Sequence, residues 1–179
     1  MRKRDFLTLV LCLPALAACA GSAKPRTDRE RRGWGFVVYF KLAPGAETKK
    51  GVEGRTDTGL YIFGKASLNE RNGGTNAYGG SRYQSFPKWV RVTWREGMTA
   101  NLRGKSGHYE TGTIVGDYTV PVLERIPEEL FTYVRAQGGR AIRLKFSIHD
   151  EGVLFGWDVQ DRGKDRKGPI RHVMAGGDW

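Results

Sequence analysis

Residues 142–149 constrain this chain more than any other stretch. Ile142, Leu144, Phe146 and Ile148 alternate with Arg143, Lys145, Ser147 and His149. A period of two puts the apolar set on one face of an extended segment and the basic set on the other, as in a half-buried strand. Asp150-Glu151-Gly152 is a short turn, and Val153 to Val159 returns. Together they predict a hairpin over about 141–159.

Other segments carry the same texture. Trp34 to Leu42 (WGFVVYFKL) is β-branched and aromatic, and Leu60 to Leu68 (LYIFGKASL) resembles it; both suit strands. In Trp89 to Arg95, Val90, Val92 and Trp94 alternate with Arg91, Thr93 and Arg95. Thr111–Val115 and Tyr118–Val122 are weaker strands placed around Gly116-Asp117. Asn72 to Gly80 (NGGTNAYGG) reads as a flexible connection, and Gln160 to Gly168 as a charged loop.

One helix is expected, at about 127–137 (PEELFTYVRAQ). Pro127 suits the first helical position, where its missing N–H costs nothing. Glu128 and Glu129 favour the positive end of the helix dipole. Leu130 and Val134 supply the buried stripe, and Gly138-Gly139 the stop. The sum is six or seven strands with one helix. The expected class is α+β: a mainly antiparallel sheet or β-sandwich with the helix over an edge or end.

The N-terminus sets the compartment. Arg2, Lys3 and Arg4 precede an apolar run from Phe6 to Leu16, and Leu16-Ala17-Ala18-Cys19 closes it. That is the layout of a secretory signal. The run is shorter than the roughly 20 residues that a spanning helix needs. Leu-Ala-Ala-Cys resembles the bacterial lipobox. The resemblance implies lipidation of Cys19, cleavage after Ala18 and, with Ala20 rather than aspartate next, the periplasmic face of the outer membrane. Two or three acyl chains, at ~0.8 kcal/mol per buried CH₂, make a stable anchor. The expected organisation is therefore a signal peptide over 1–18, a lipidated tether over 19–33 and one periplasmic domain over 34–179. The stretch Ala20–Arg32 (AGSAKPRTDRERR) is too polar to bury a core. Fully extended it reaches at most ~45 Å.

Charge and cysteine content narrow the function classes. Lys and Arg number 30 against 19 Asp and Glu. Cleavage removes Arg2, Lys3, Arg4 and Asp5, leaving 27 against 18, a charge of +9. Such a charge favours anionic partners; nucleic acid is not expected in the periplasm. Cys12 leaves with the signal and Cys19 is acylated. The domain then has no thiol for a disulfide, a cysteine metal site or a nucleophile, and packing alone must hold it.

No catalytic, metal or cofactor-binding residues are assigned. Gly104-Lys105-Ser106 lacks the earlier glycine of a phosphate-binding loop, since Thr99 stands there. His108, His149 and His172 are scattered, and no HExxH or Gly-x-Ser-x-Gly occurs. Asp158, Asp161 and Asp165 lack calcium-loop spacing. The candidate binding surface consists of Arg91, Arg95, Arg143, Lys145, His149 and Trp179. The basic faces of the 90–94 and 142–148 strands form one patch only if they share a sheet; otherwise they are solvated faces. Trp179, beside glycines, is expected to be exposed.

Beyond the lipobox, the matching parts are Phe86-Pro87-Lys88-Trp89 leading into Val90-Arg91-Val92-Thr93-Trp94, Arg125-Ile126-Pro127-Glu128-Glu129-Leu130, and Asp150-Glu151-Gly152-Val153-Leu154-Phe155-Gly156-Trp157-Asp158. On these the chain resembles uncharacterised bacterial lipoproteins, some of which are immunity proteins of type VI secretion phospholipase effectors. The resemblance covers residues 34–179 loosely and implies a non-enzymatic, membrane-anchored binder whose partner is a secreted effector protein. Two alternatives stay open: an envelope lipoprotein that binds anionic envelope components or assists assembly, and a hydrolase with a scattered site.

Overall fold

Alternating burial builds the larger of two sheets. β1 (Phe36–Leu42) buries Phe36, Val38, Phe40 and Leu42 and turns Val37, Tyr39 and Lys41 outward. β7 (Arg140–Ile148) buries Ile142, Leu144, Phe146 and Ile148, and β8 (Val153–Asp161) buries Phe155, Trp157 and Val159. With β4 (Gly74–Tyr78) and β9 (Arg171–Gly177) at the edges, the order is β4-β1-β7-β8-β9. The computed structural model describes residues 35–78, 85–97, 112–164 and 167–179. The expected signal and tether, with Cys19, lie outside these residues, as do Gly104-Lys105-Ser106 and His108.

The second sheet holds β2 (Lys49–Thr56), β3 (Tyr61–Leu68), β5 (Trp89–Glu96) and β6 (Thr113–Pro121) in the order β3-β2-β5-β6. The sheets face each other as a sandwich, so the α+β expectation holds. Phe40 carries the contact between them. Its ring stacks on Phe63 of the opposite sheet at 4.2 Å and on Phe146 of its own at 4.6 Å. A Cβ on Gly54 would stand 2.8 Å from Phe40 Cζ, so the glycine admits the ring.

The helix α1 (Glu128–Arg135) closes one end. Pro127 is its N-cap rather than its first residue. Leu130, Phe131 and Val134 are buried. Phe131 meets Phe86 edge-on at 5.1 Å, and Phe86 meets Phe36 at 5.6 Å, which ties the helix to β1.

Three features differ from the expectation. There are nine strands among the described residues. β2 (KKGVEGRT) has too few apolar residues to signal a strand, yet it lies inside its sheet between β3 and β5. Its Lys49 reaches Asp150 at 2.5 Å, and its Glu53 meets Arg55 at 3.4 Å. The segment expected to connect flexibly contains β4, which pairs with β1. No turn forms at Gly116-Asp117: β6 runs through, with Trp94 of β5 lying over Gly116. The sheets are mainly antiparallel, as expected: β1 and β7 pair in parallel, and the other six strand pairs described are antiparallel.

Candidate functional site

The parallel β1–β7 pairing assembles the most unusual chemistry of the described surface. Register aligns Tyr39, Lys145, Gly156 and Gly177 in one row across β1, β7, β8 and β9. The adjacent row is Val37, Arg143, Asp158 and Ala175. Lys41 stands two residues beyond Tyr39 on the same face of β1.

Gly156 leaves a gap in this face, and the chain after β9 fills it. Gly177 takes φ +96°, where a side chain would also strike Phe155 O and Gly156 Cα at 2.5 Å. The Asp178 N–H then donates to Phe155 O at 2.8 Å, and the Asp178 carboxylate meets Arg125 at 2.5 Å. Trp179 lands on Gly156. Its ring is 5.7 Å from Tyr39, with Lys41 Nζ 3.9 Å and Lys145 Nζ 4.3 Å from its centroid. Both distances are within cation–π range. Trp179 is thus half-buried, not exposed as expected, because two ammonium groups and a glycine gap hold it down.

Beside it, Asp158 is only 3% exposed. Its carboxylate accepts from Arg143 Nε at 3.0 Å and from Arg143 Nη2. Lys145 Nζ lies 3.7 Å away and His172 Nδ1 3.2 Å away. One carboxylate therefore serves three basic groups, and Lys41 has no carboxylate partner among the described residues. Burial pushes the Lys145 ammonium below the usual lysine pKa. The Asp158 charge opposes that shift, while Arg143 and Lys41 add to it.

Arg143, Lys145 and Trp179 therefore come together, but the other three expected residues lie elsewhere. Arg91 and Arg95 sit in the opposite sheet, so the condition for a single patch is not met. Arg91 forms a two-point ion pair with Asp117, Nε to Oδ1 at 2.7 Å and Nη2 to Oδ2 at 2.5 Å. This bond holds the Asp117 carboxyl below its ordinary pKa. Arg95 Nη1 donates to Gly112 O at 3.1 Å. His149 follows β7 at the sheet's end, where it lines an open cleft with Pro44, Gly45 and Ala46, and its backbone N–H donates to Gly152 O at 2.8 Å.

Sequence reasoning missed Tyr39, Lys41, Asp158 and His172. The alternation of β1 already placed Tyr39 and Lys41 outward. Gly156, inside a strand pattern, was a signal for close approach by another segment. His172 and Asp158 resemble the base-orienting pair of a hydrolase. However, the Arg143 guanidinium occupies that carboxylate, and no hydroxyl or thiol among the described residues hydrogen-bonds His172. No group of three or more His, Cys, Asp or Glu side chains among the described residues is arranged to hold a metal ion. What this face offers is positive charge around an aromatic platform. No protein-family model matches the chain, and no curated protein or solved structure shows significant similarity to it.

Proposed function

We propose that this chain is a lipoprotein held by Cys19 on the periplasmic face of the outer membrane, and that it acts by binding a protein rather than by catalysing a reaction. The partner in this reading is a secreted lipase effector of a type VI system, which the domain neutralises by covering it. The signal layout, the lipobox and the resemblance to immunity lipoproteins support the compartment and role.

The structural observation that carries the reading is the cluster around Trp179. A half-buried indole and Tyr39, flanked by Lys41, Arg143 and Lys145, have the residue types and partial desolvation of an interface anchor. Excess positive charge there would draw an acidic partner and speed association.

The test is protection. Cells lacking the gene are challenged by effector-bearing siblings, then complemented with wild type, Lys41→Glu or Cys19→Ser. The reading expects loss of fitness on deletion and rescue by wild type. Rescue by folded Lys41→Glu should be weak. Full fitness of the deletion strain under challenge overturns the immunity role. Full rescue by Cys19→Ser would show that the anchor delivers the domain without contributing to its action.

A further inference from the structure

We infer that Lys41 and Lys145, beside the Trp179 ring, form a seat for a phosphate group. This goes beyond the protein-binding reading and stands without it.

Charge balance is the first argument. Lys41, Arg143 and Lys145 bring three basic side chains to this face, and among the described residues one carboxylate side chain, that of Asp158, pairs with them. Arg143 already takes both Asp158 oxygens, at 3.0 Å and 3.2 Å from its Nε. Lys145 stands 3.7 Å off, and Lys41 meets the Trp179 ring with no carboxylate partner among the described residues. An indole offers a quadrupole but no charge.

Burial is the second argument. The side chains of Lys145 and Arg143 are 13% and 18% exposed, so water does not screen them as it would on an open surface. Basic groups this covered are normally paired with acids. Here three basic side chains share one carboxylate side chain, which suits an added oxyanion. Geometry is the third argument. Lys41 Nζ and Lys145 Nζ lie 3.9 Å and 4.3 Å from one ring centroid, so they are no farther apart than the sum of these distances, about 8.2 Å, a span that two oxygens of one phosphate can bridge. Lysine binds phosphate as a point charge with three donors and does not require the planar fork that a carboxylate or a base edge selects. Phosphate in this setting has two sources, a lipid-borne headgroup or the free ion.

The test uses the lipidated protein in neutral micelles at low salt, with inorganic phosphate titrated against backbone and indole NMR signals. Saturable shifts are expected at Lys41, Lys145 and Trp179, lost in 0.5 M sodium chloride. Lys41→Gln and Lys145→Gln should each weaken binding about tenfold. Lys41 makes no bond to Asp158, so its variant keeps the test valid if Lys145→Gln does not fold. Micelles doped with an anionic phospholipid distinguish the sources. Shifts at the same residues before phosphate is added assign a headgroup, and shifts only after addition assign the free ion; both support the seat. Absence of saturable shifts at these residues overturns it, as does unchanged affinity in Lys41→Gln. Acetate binding as tightly as phosphate also overturns it, in favour of a protein carboxylate.

Discussion

Trp179 lies directly on Gly156, its Cβ 2.5 Å from the point that a Cβ on the glycine would occupy. The same device recurs twice. Trp94 covers Gly116, and Trp157 covers Gly176, each across an antiparallel pair. Gly176 and Gly177 divide the work between two faces of the sheet: the first makes room for Trp157 inside, and the second turns the chain over Gly156 outside. An aromatic ring laid over a strand glycine restores the packing that the missing side chain forfeits.

Gly156→Ala should therefore cost about 1–3 kcal/mol. The new methyl meets Trp179 Cβ and also Gly176 O at 3.0 Å. Only the first obstacle can move away. In a double-mutant cycle, Gly156→Ala in a Trp179→Ala background should cost less than in wild type. Urea denaturation of the four proteins measures the coupling, and strict additivity would contradict this packing.

Gly54→Ala tests the sandwich contact in the same way. The methyl would sit 2.8 Å from Phe40 Cζ, and Phe40 is held by Phe63 on one side and Phe146 on the other. With no free direction for the ring, a loss of about 1–3 kcal/mol is expected. Phe40→Ala, which empties the same space, should cost about 3–5 kcal/mol. A double mutant of Gly54→Ala with Phe40→Leu should recover part of the glycine penalty in thermal unfolding.

Asp158 supplies the side-chain carboxylate that pairs with Arg143 and Lys145, and removing its charge takes that partner from both. Asp158→Asn should destabilise the fold by about 2–4 kcal/mol. Adding Lys145→Met to that variant should restore part of the loss, because one of the orphaned charges goes with it. Denaturant midpoints of the two variants decide the matter.

These residues show what a sequence can and cannot disclose. The period-two pattern of 142–148 named the buried face of β7 correctly, and Pro127 with Glu128 and Glu129 located the helix to within a residue or two. Both are local signals. β2 carried no such signal, since Lys49, Lys50, Glu53 and Arg55 become strand residues through pairing on both sides and through ion pairs with Asp150 and within the strand. The site depends on a longer-range fact still. Lys41 and Lys145 are about a hundred residues apart, and only the parallel β1–β7 register makes them neighbours. Alternation gives each strand a face but not a partner, so a patch built from Arg91 and Arg143 was as legible in the sequence as the cluster that the fold produces.

Lys145 gives that cluster a pH dependence whose sign is fixed. Burial first, and then repulsion by Arg143 and Lys41, lower its pKa from the ordinary 10.5 in the folded chain. Between the folded value and 10.5 the unfolded chain binds more protons, so this lysine's contribution to stability rises with pH across that interval. Below the folded value the charge is present in both states and its cost to the fold is constant. Lys145→Met removes the titration. Relative to wild type, the variant should be most favoured near neutral pH and lose that advantage as pH approaches 10.5. Unfolding free energies of both proteins from pH 7 to 10.5 give the comparison, with the difference cancelling the other lysines and tyrosines. A constant difference across the series would mean that Asp158 fully compensates the buried ammonium. The excess charge would then reside on Lys41 alone.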